Sequence, residues 1–522
     1  MFGVVLDMSR NAVMKKEEVL RFASIVKKFG YDTIGLYIED LYEVDGEPYF
    51  GHLRGRYSKA ELKGIVAAAK SEGLRVVPYI QTLAHLHGIF RWERYKAIND
   101  IDDILLIDDE RTYALLDKMF ASLRECFDCE EINIGMDEAA HVGRGKYADA
   151  HGFPENRVEL LYRHLKKVLG IAKKYGFKCS MWSDMFFTLA QSGYDLKEYV
   201  PSDVTLCYWD YYCLNEKGYD EKLKAHFAVT PNVSFAGGAW SWGGFAPMNA
   251  VTIETMTPAM RMCRKHGVKD VVITMWGDEG KECSYFAMLP SLCYCAEKYL
   301  HDSSFEEIKK VFFDVVGIEF EEFAALELPN RIVDCKGGNA CNFGLYADPF
   351  CGKFDYHVAE THGEECGGYA KRLREIEKRA GEYAYLFESA AALCDVLELK
   401  YSLGVKTRKA YLGGDKAELR RIADDVYGRL IERVRLFGEK FKTLWKKENK
   451  PFGLEVQEAR IGGLIYRLQC CRETLFEYLD GKIDAIEELE HPVLPFEEGK
   501  EKTAAFYEHQ YVWTYSLNRS YW

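Results

Sequence analysis

Two adjacent acids, Asp137 and Glu138, carry the most suggestive chemistry in the sequence. Apolar residues at every second position of the preceding stretch, 132–136, predict a strand that ends at the two acids. Because neighbouring carboxylates repel, we expect one acid of the pair to have a raised pKa and to stay protonated while the other ionises. That arrangement suits acid/base catalysis, whereas the alternative is a solvated loop that carries two charges.

A repeated pattern of elements positions this pair. Over roughly the first three hundred residues, a short apolar strand, a polar turn and an amphipathic helix alternate. Besides the strand before the two acids, the pattern predicts strands at 3–7, 33–38, 75–80, 178–182, 204–208, 233–237 and 271–275. Eight such cycles predict an α/β fold, a (β/α)8 TIM barrel, in which functional residues lie at the C-terminal strand ends. Every predicted strand end carries a polar, acidic or aromatic residue.

The pattern changes after Leu300, where long, charged, amphipathic segments predict helices at about 369–399, 415–445 and 454–478, after an irregular stretch at 329–368. We therefore expect two domains, a catalytic barrel at 1–303 and a mainly α-helical C-terminal domain at 304–522. The charge of the helices is most simply a solvated face. The alternative is a homodimer that forms through the helical domain.

Composition limits the classes of partner. A net charge of −13 without a basic stripe argues against nucleic acid, and no apolar segment is long enough to span a membrane. Aromatic residues form 14% of the chain, either as core filling or as rings that stack on sugar faces. The sixteen cysteines show no disulfide framework and no CxxC zinc signature, and the first residues lack a signal-peptide pattern. These features predict a cytoplasmic protein.

Several strand ends resemble motifs of one enzyme family. The segment 133–138, Asn-Ile-Gly-Met-Asp-Glu, resembles the His/Asn-x-Gly-x-Asp-Glu signature of glycoside hydrolase family 20, the β-N-acetylhexosaminidases. In chain order, 6–10 is similar to the Leu-Asp-x-Ser-Arg of that family, and 78–85 keeps part of its strand-three motif. The segment 276–279 is similar to its Trp-Gly-Glu. The resemblance covers about residues 1–300, the barrel only.

The resemblance implies a retaining, exo-acting β-N-acetylhexosaminidase that releases terminal GlcNAc from oligosaccharides by substrate-assisted catalysis, without a cofactor, and it leaves open whether GalNAc is also released. Glu138 would protonate the glycosidic oxygen and later deprotonate water. The acetamido oxygen of the substrate would attack C1 to form an oxazolinium intermediate. Asp137 would orient the acetamido N–H and stabilise the charge on it. His85 would orient and tune the acid.

The same resemblance implies a set of substrate-binding residues: Arg10, His85, Trp182, Trp209, Tyr211, Trp242, Trp276, Asp278 and Glu279. The four tryptophans would enclose the acetamido methyl group and exclude water from it. Tyr211, or alternatively Tyr212, would bind the acetamido oxygen. Arg10, with Asp278 or Glu279, would bind the outer hydroxyls. The alternatives are a surface salt bridge for Arg10 and a core position for some of the tryptophans.

The sequence departs from the family pattern in several places. Asn133 replaces the more usual His, and Leu83-Ala84 replaces Pro-Gly in the strand-three motif. The strand-seven Trp-Tyr-Leu-Asp of the family is not evident in 239–242, which leaves the acetamido-binding tyrosine open. The barrel also begins directly on the first strand. These departures predict a divergent, intracellular subgroup.

Three other functions remain open from the sequence. His85 and His87 form a His-x-His that could bind a metal, but strands five to eight end in no further histidine, so we expect no metal site. A conventional retaining β-glycosidase would use Glu138 as acid/base and Glu279 as nucleophile. A non-catalytic protein that binds amino sugars is the third alternative.

Overall fold

The structure, a computed structural model, describes residues 1–190, 193–332 and 339–496, apart from the side chains of Leu189, Ala190 and Glu279. The chain divides into two compact units. The first unit comprises Met1–Ala239, Thr252–Trp276 and Ser291–Gly317. The second unit comprises Trp240–Val251, Gly277–Pro290 and Ile318–Trp522. The predicted domain boundary between residues 303 and 304 stays a prediction.

Eight parallel strands form a closed barrel in the first unit. They are β1 Phe2–Asp7, β2 Thr33–Tyr37, β3 Arg75–Tyr79, β4 Glu131–Asn133, β5 Lys178–Trp182, β6 Thr205–Trp209, β7 Val233–Gly238 and β8 Val271–Met275. Each strand pairs with the next, and β1 pairs with β8 to close the ring. Every residue of β1, β2, β7 and β8 is buried, as expected for parallel strands that are covered on both faces. The predicted TIM barrel is confirmed.

Helices alternate with the strands and follow the last one. They are α1 Lys16–Lys28, α2 Lys59–Ser71, α3 His87–Phe90, α4 Glu110–Cys126, α5 Lys146–His151, α6 Arg157–Lys174, α7 Asp184–Ala190, α8 Glu216–Val229, α9 Asn249–His266, α10 Leu289–Leu300 and α11 Phe305–Val316. Capping motifs that are visible in the local sequence mark the first residues of two of these helices. Ser58 and Glu61 form a capping box at α2, and Ser304 and Glu307 form one at α11, so each satisfies amides that the first helical turn leaves unpaired.

Strand four is shorter than the sequence pattern predicts. It ends at Asn133, and the following backbone has positive φ at Gly135 (73°), Met136 (72°) and Glu138 (51°), so it is not extended up to the acids. The side chain of Asn133 accepts the Gly135 N–H at 2.9 Å and stabilises this turn. The prediction of a strand that reaches Asp137 was therefore wrong. Residues 132–136 are all buried, so the apolar residues at every second position do not mark an extended strand with one buried face.

The second unit is mainly helical, which confirms the predicted fold class. Its helices are α12 Phe320–Ala324, α13 Ala340–Tyr346, α14 Cys366–Glu377, α15 Ala384–Lys400, α16 Leu403–Leu412, α17 Lys416–Arg421, α18 Tyr427–Glu448, α19 Leu454–Leu479 and α20 Glu487–Glu490. The helix predicted at 369–399 is two helices, α14 and α15, and the stretch predicted to be irregular contains α13. Among the described residues, no helix combines the length and apolar character that crossing a membrane requires.

Candidate active site

The two acids lie in the loop after β4, where one histidine contacts both of them. His85, in the loop after β3, places Nε2 at 3.2 Å from Asp137 Oδ2 and 3.5 Å from Glu138 Oε2. The Asp137 side chain is 16% exposed, whereas that of Glu138 is 60% exposed. Glu138 can therefore reach a ligand and solvent, while Asp137 is largely buried.

The charges of Asp137 and His85 stabilise each other. Burial alone raises the pKa of Asp137, but the charge and hydrogen bond of His85 outweigh it and hold that pKa below its ordinary value. Burial alone lowers the pKa of His85, yet the Asp137 carboxylate raises it to about 10. Near neutral pH the site therefore holds an ionised Asp137 against a protonated His85. The raised pKa that we expected for one acid of the adjacent pair is not found at Asp137.

A chain of hydrogen bonds connects the end of β1 with Asp137. Arg10 Nη1 lies 2.6 Å from the Glu39 carboxylate, which also accepts the Tyr37 hydroxyl at 3.0 Å. Gln81 Nε2 donates to the Tyr37 oxygen at 2.9 Å and to Asp137 Oδ1 at 2.7 Å. Glu39 is buried, and burial raises its pKa although Arg10 opposes this effect. Arg10 is thus paired with a buried acid and is not in an ordinary surface salt bridge.

A third carboxylate, which the sequence reasoning missed, also lies in this site. Asp184, the first residue of α7, accepts the backbone N–H of Glu138 at 2.9 Å through Oδ2. Its Oδ1 accepts the indole N–H of Trp209 at 3.2 Å. Burial, together with the charge of Asp137, raises the pKa of Asp184 to about 7. The available signal was an acid two residues after the predicted end of strand five, Trp182.

Three of the predicted tryptophans are brought together with the predicted tyrosine. Trp276 packs edge-on against Trp182, with ring centroids 5.9 Å apart, and against Tyr37 at 5.0 Å. Trp209 stacks on Tyr211 at 5.3 Å. Tyr211 is buried, which raises the pKa of its hydroxyl, and Trp276 is a hydrogen-bond partner of that hydroxyl. Trp182 is 1% exposed and lies in the core, whereas Trp209 and Trp276 are half-buried.

The other predicted binding residues belong to the second unit. Trp242 is buried and stacks on Trp240 with ring centroids 4.8 Å apart. Asp278 and Glu279 begin a short 3₁₀ helix, Asp278–Gly280, in which Asp278 is half-buried. The side chain of Glu279 lies outside the described part of the chain. The roles expected for Trp242, Asp278 and Glu279 stay predictions.

The two histidines of the His-x-His share one acidic neighbour, Asp103. His87 is 77% exposed and its Nε2 lies 3.6 Å from Asp103 Oδ2, which lies 3.9 Å from Nδ1 of His85. Within residues 1–190, 193–332 and 339–496, no cluster of histidine, cysteine and acidic side chains could hold a metal ion. The arrangement instead offers proton transfer by an exposed carboxyl beside a fixed negative charge.

Two family models match the chain. The model "Glycosyl hydrolase family 20, catalytic domain" matches residues 42–230, which include the site. The model "Glycoside Hydrolase 20C C-terminal domain" matches residues 321–507. The second match covers the region for which the sequence reasoning found no family.

Known proteins that are similar to this chain in sequence or fold include hexosaminidases. Hexosaminidase D of Bos taurus is 23% identical over 329 residues, which are 56% of this chain and 90% of that protein. A GH20 exo-β-N-acetylglucosaminidase of Vibrio harveyi, solved with N-acetylglucosamine, has a TM-score of 0.47 at 15% identity. The similarity covers 60% of this chain and 58% of that one. The GH20 β-N-acetylhexosaminidase of Streptomyces coelicolor A3(2) has a TM-score of 0.46 at 18% identity, over 61% and 69% of the two chains.

Proposed function

Because this chain belongs to glycoside hydrolase family 20, we propose that it is a retaining exo-β-N-acetylhexosaminidase. Its substrates would be oligosaccharides that end in β-linked GlcNAc or GalNAc. The observation that carries this proposal is the contact of one histidine, His85, with both an ionised Asp137 and an exposed Glu138. That arrangement gives two neighbouring carboxyl groups different tasks.

Glu138 is the proton donor and acceptor in this proposal. It protonates the glycosidic oxygen while the bond from that oxygen to C1 breaks and the acetamido oxygen of the substrate bonds to C1. In the second step, the Glu138 carboxylate takes a proton from water, and the water oxygen attacks C1. The acetamide is restored and the sugar leaves with its original anomeric configuration. The 60% exposure of the Glu138 side chain allows both exchanges.

Asp137 supplies the fixed negative charge. Positive charge develops on the acetamido nitrogen when the oxazolinium ring forms, and an ionised carboxylate that accepts its N–H stabilises that state. His85 and Gln81 hold the two oxygens of Asp137, so the group is oriented before the substrate arrives. Because His85 is protonated at neutral pH, it also keeps Asp137 from taking up the proton that Glu138 needs.

The aromatic residues and Arg10 give the site its preference for a terminal amino sugar. The Tyr211 hydroxyl would bind the acetamido oxygen, and Trp209 and Trp276 would border the acetamido group and exclude water from it. Arg10, fixed by Glu39, would bind outer hydroxyls of the sugar ring. The Arg10–Glu39 ion pair would leave no room for sugar residues beyond the terminal one, so the enzyme would act only at the end of a glycan chain.

The cysteines support the proposal of a cytoplasmic location. Those in the described residues are free thiols, and most of them are buried. Free thiols persist in a reducing compartment.

Hydrolysis of two aryl β-glycosides, the N-acetylglucosaminide and the glucoside, tests the proposed function. We expect turnover of the acetamido substrate only, and a fall of roughly 10²-fold or more in Asp137→Ala, because a charge-stabilising group is lost. Asp149→Ala, which removes an exposed acid on α5, is the matched control. Comparable turnover of both substrates would instead favour ordinary double displacement. Binding of GlcNAc without any turnover would favour a sugar-binding protein.

A further inference from the structure

We propose that Asp184 is a positioning residue that holds the peptide carrying Glu138 and the indole of Trp209 in a fixed relation. This inference rests on the proposed function of Glu138 as acid/base. Each oxygen of the carboxylate has its own donor: Oδ2 accepts the Glu138 N–H at 2.9 Å, and Oδ1 accepts the Trp209 N–H at 3.2 Å. One carboxylate therefore joins the loop after β4 to the end of β6.

The backbone at Glu138 needs such support. Its φ of 51° lies in the left-handed region, which is unfavourable for a residue with a side chain. The side chain is 60% exposed, so packing alone does not fix it. On the carbonyl side, Glu138 O accepts the Ala140 N–H at 2.7 Å, and on the amide side it is Asp184 that accepts. Without Asp184, the amide half of this turn loses its hydrogen bond.

The second oxygen extends the connection to the aromatic residues. Trp209 stacks on Tyr211 with an angle of 21° between the rings, and the Tyr211 hydroxyl has Trp276 as a hydrogen-bond partner. The orientation of the Trp209 ring therefore affects the tyrosine proposed to bind the acetamido oxygen. Asp184 thus fixes the position of the proton donor, Glu138, relative to Tyr211, which would hold the acetamido oxygen.

The Asp184 carboxyl group can accept both N–H groups, one with each oxygen. An asparagine offers one oxygen, and its NH₂ group would face the other N–H donor. Burial and the charges of Asp137 and Glu138 raise the pKa of Asp184, whereas the hydrogen bonds from the Glu138 amide and the Trp209 indole lower it. His85, which contacts both Asp137 and Glu138, supplies positive charge beside these two acids.

Loss of a residue that positions the acid should slow some substrates more than others. A displaced Glu138 delivers its proton poorly, so glycosides with a basic leaving group are affected most. A 2,4-dinitrophenolate leaves without protonation, so its glycoside is nearly insensitive to the position of the acid. A general loss of structure would instead lower both rates together.

The decisive experiment compares Asp184→Asn and Asp184→Ala on 4-methylumbelliferyl and 2,4-dinitrophenyl β-N-acetylglucosaminides. We expect kcat to fall roughly 30-fold or more on the first substrate and less than about 5-fold on the second. Trp209→Phe keeps an aromatic ring but removes the N–H together with part of the indole, and we expect it to raise KM with a smaller effect on kcat. Equal falls on both substrates, or wild-type kinetics in Asp184→Asn, would overturn the proposal.

A readout that does not require turnover separates this inference from the proposed function. In the wild type, the hydrogen bond to Asp184 should protect the Glu138 amide from deuterium exchange, and Asp184→Ala, which has no side-chain acceptor, should abolish that protection. The Asp149→Ala variant should keep it. Unchanged protection in Asp184→Ala contradicts the positioning role even if the enzyme is active. Lost protection in a protein without hexosaminidase activity would support the tether and reject only the proposed function.

Discussion

His85 lies between two carboxylates, and its protonation has consequences for stability as well as for chemistry. In the folded protein its pKa is about 10, above the ordinary value of 6.5, because Asp137 favours the charged form. A raised folded-state pKa contributes stability that is fully present below about pH 6.5 and is lost as the pH rises through about 10. The lowered pKa of Asp137 contributes stability that is lost on acidification. Between these limits the pair is a stabilising ion pair.

Replacing His85 by glutamine should therefore destabilise the protein in a pH-dependent way. Glutamine keeps a donor but not the charge, so we expect the free energy of unfolding to fall by up to about 4 kcal/mol at pH 6. The difference from wild type should shrink as the pH approaches 10. Urea unfolding at the two pH values measures it, with His87→Gln, an exposed neighbour, as the control. An equal difference at both pH values would show that charge is not the cause.

Tyr211 and Tyr212 can be separated by removing each hydroxyl. Tyr211 is buried against Trp209, whereas Tyr212 is 54% exposed. We expect Tyr211→Phe to lower kcat/KM for the acetamido substrate by roughly 10- to 10²-fold, since the proposed hydrogen bond to the acetamido oxygen would be lost. Tyr212→Phe should remain within about 2-fold. Steady-state kinetics of the two variants tests this, and the reverse order of effects would assign the role to Tyr212.

At the residue scale, the types of side chain in the sequence could predict part of the site. The rest depends on contacts between residues that are far apart in the chain. Asp137 and Glu138 stand out because two adjacent acids follow an apolar strand. Asp184 does not, because its significance depends on contacts with an amide 46 positions away and an indole 25 positions away. No local pattern encodes such contacts.

At the scale of elements, periodicity located the eight strands but not the turn that carries the acids. Gly135 is the critical position in that turn. Its φ is 73°, and a Cβ there would lie 2.1 Å from Gln81 Oε1. Gln81 also accepts the Met136 N–H and donates to Asp137. The turn after β4 and the orientation of Asp137 therefore depend on the same glycine.

Gly135→Ala should disturb both stability and activity. We expect the free energy of unfolding to fall by roughly 2 kcal/mol or more, because the new Cβ clashes and the backbone angle is unfavourable for alanine. Activity on the acetamido substrate should fall as Gln81 moves away from Asp137. Gly170→Ala on α6 has open space and should be neutral or stabilising by up to about 1 kcal/mol. Thermal unfolding of both variants measures the contrast, and similar losses in the two would refute the argument.

At the scale of the whole molecule, the described cysteines are free thiols in both units. We expect reductant to leave the melting temperature unchanged, because the cysteines in the described part of the chain form no disulfide that could be reduced. Half-buried Cys213, Cys351 and Cys470 should react first with a thiol reagent, and the buried cysteines only on unfolding. Labelling under native and denaturing conditions tests this. A melting temperature that falls in dithiothreitol would contradict it.

Composition and periodicity could predict the class of each half of the molecule, but not the role of the helical half. Amphipathic, charged helices look alike whether their polar face meets water or a second copy of the chain. The homodimer therefore stays a prediction, and light scattering can test it against the monomer mass of 60.1 kDa.

The hydrogen-bonded row from Arg10 through Glu39, Tyr37 and Gln81 to Asp137 has a thermodynamic consequence. Its members act in series, so the loss of any one disconnects the two ends. Once one residue of the row has been substituted, a second substitution in the same row removes little further stabilisation. Free-energy changes of paired substitutions should therefore be sub-additive along the row, and the coupling energy belongs to the row as a whole, not to any single contact.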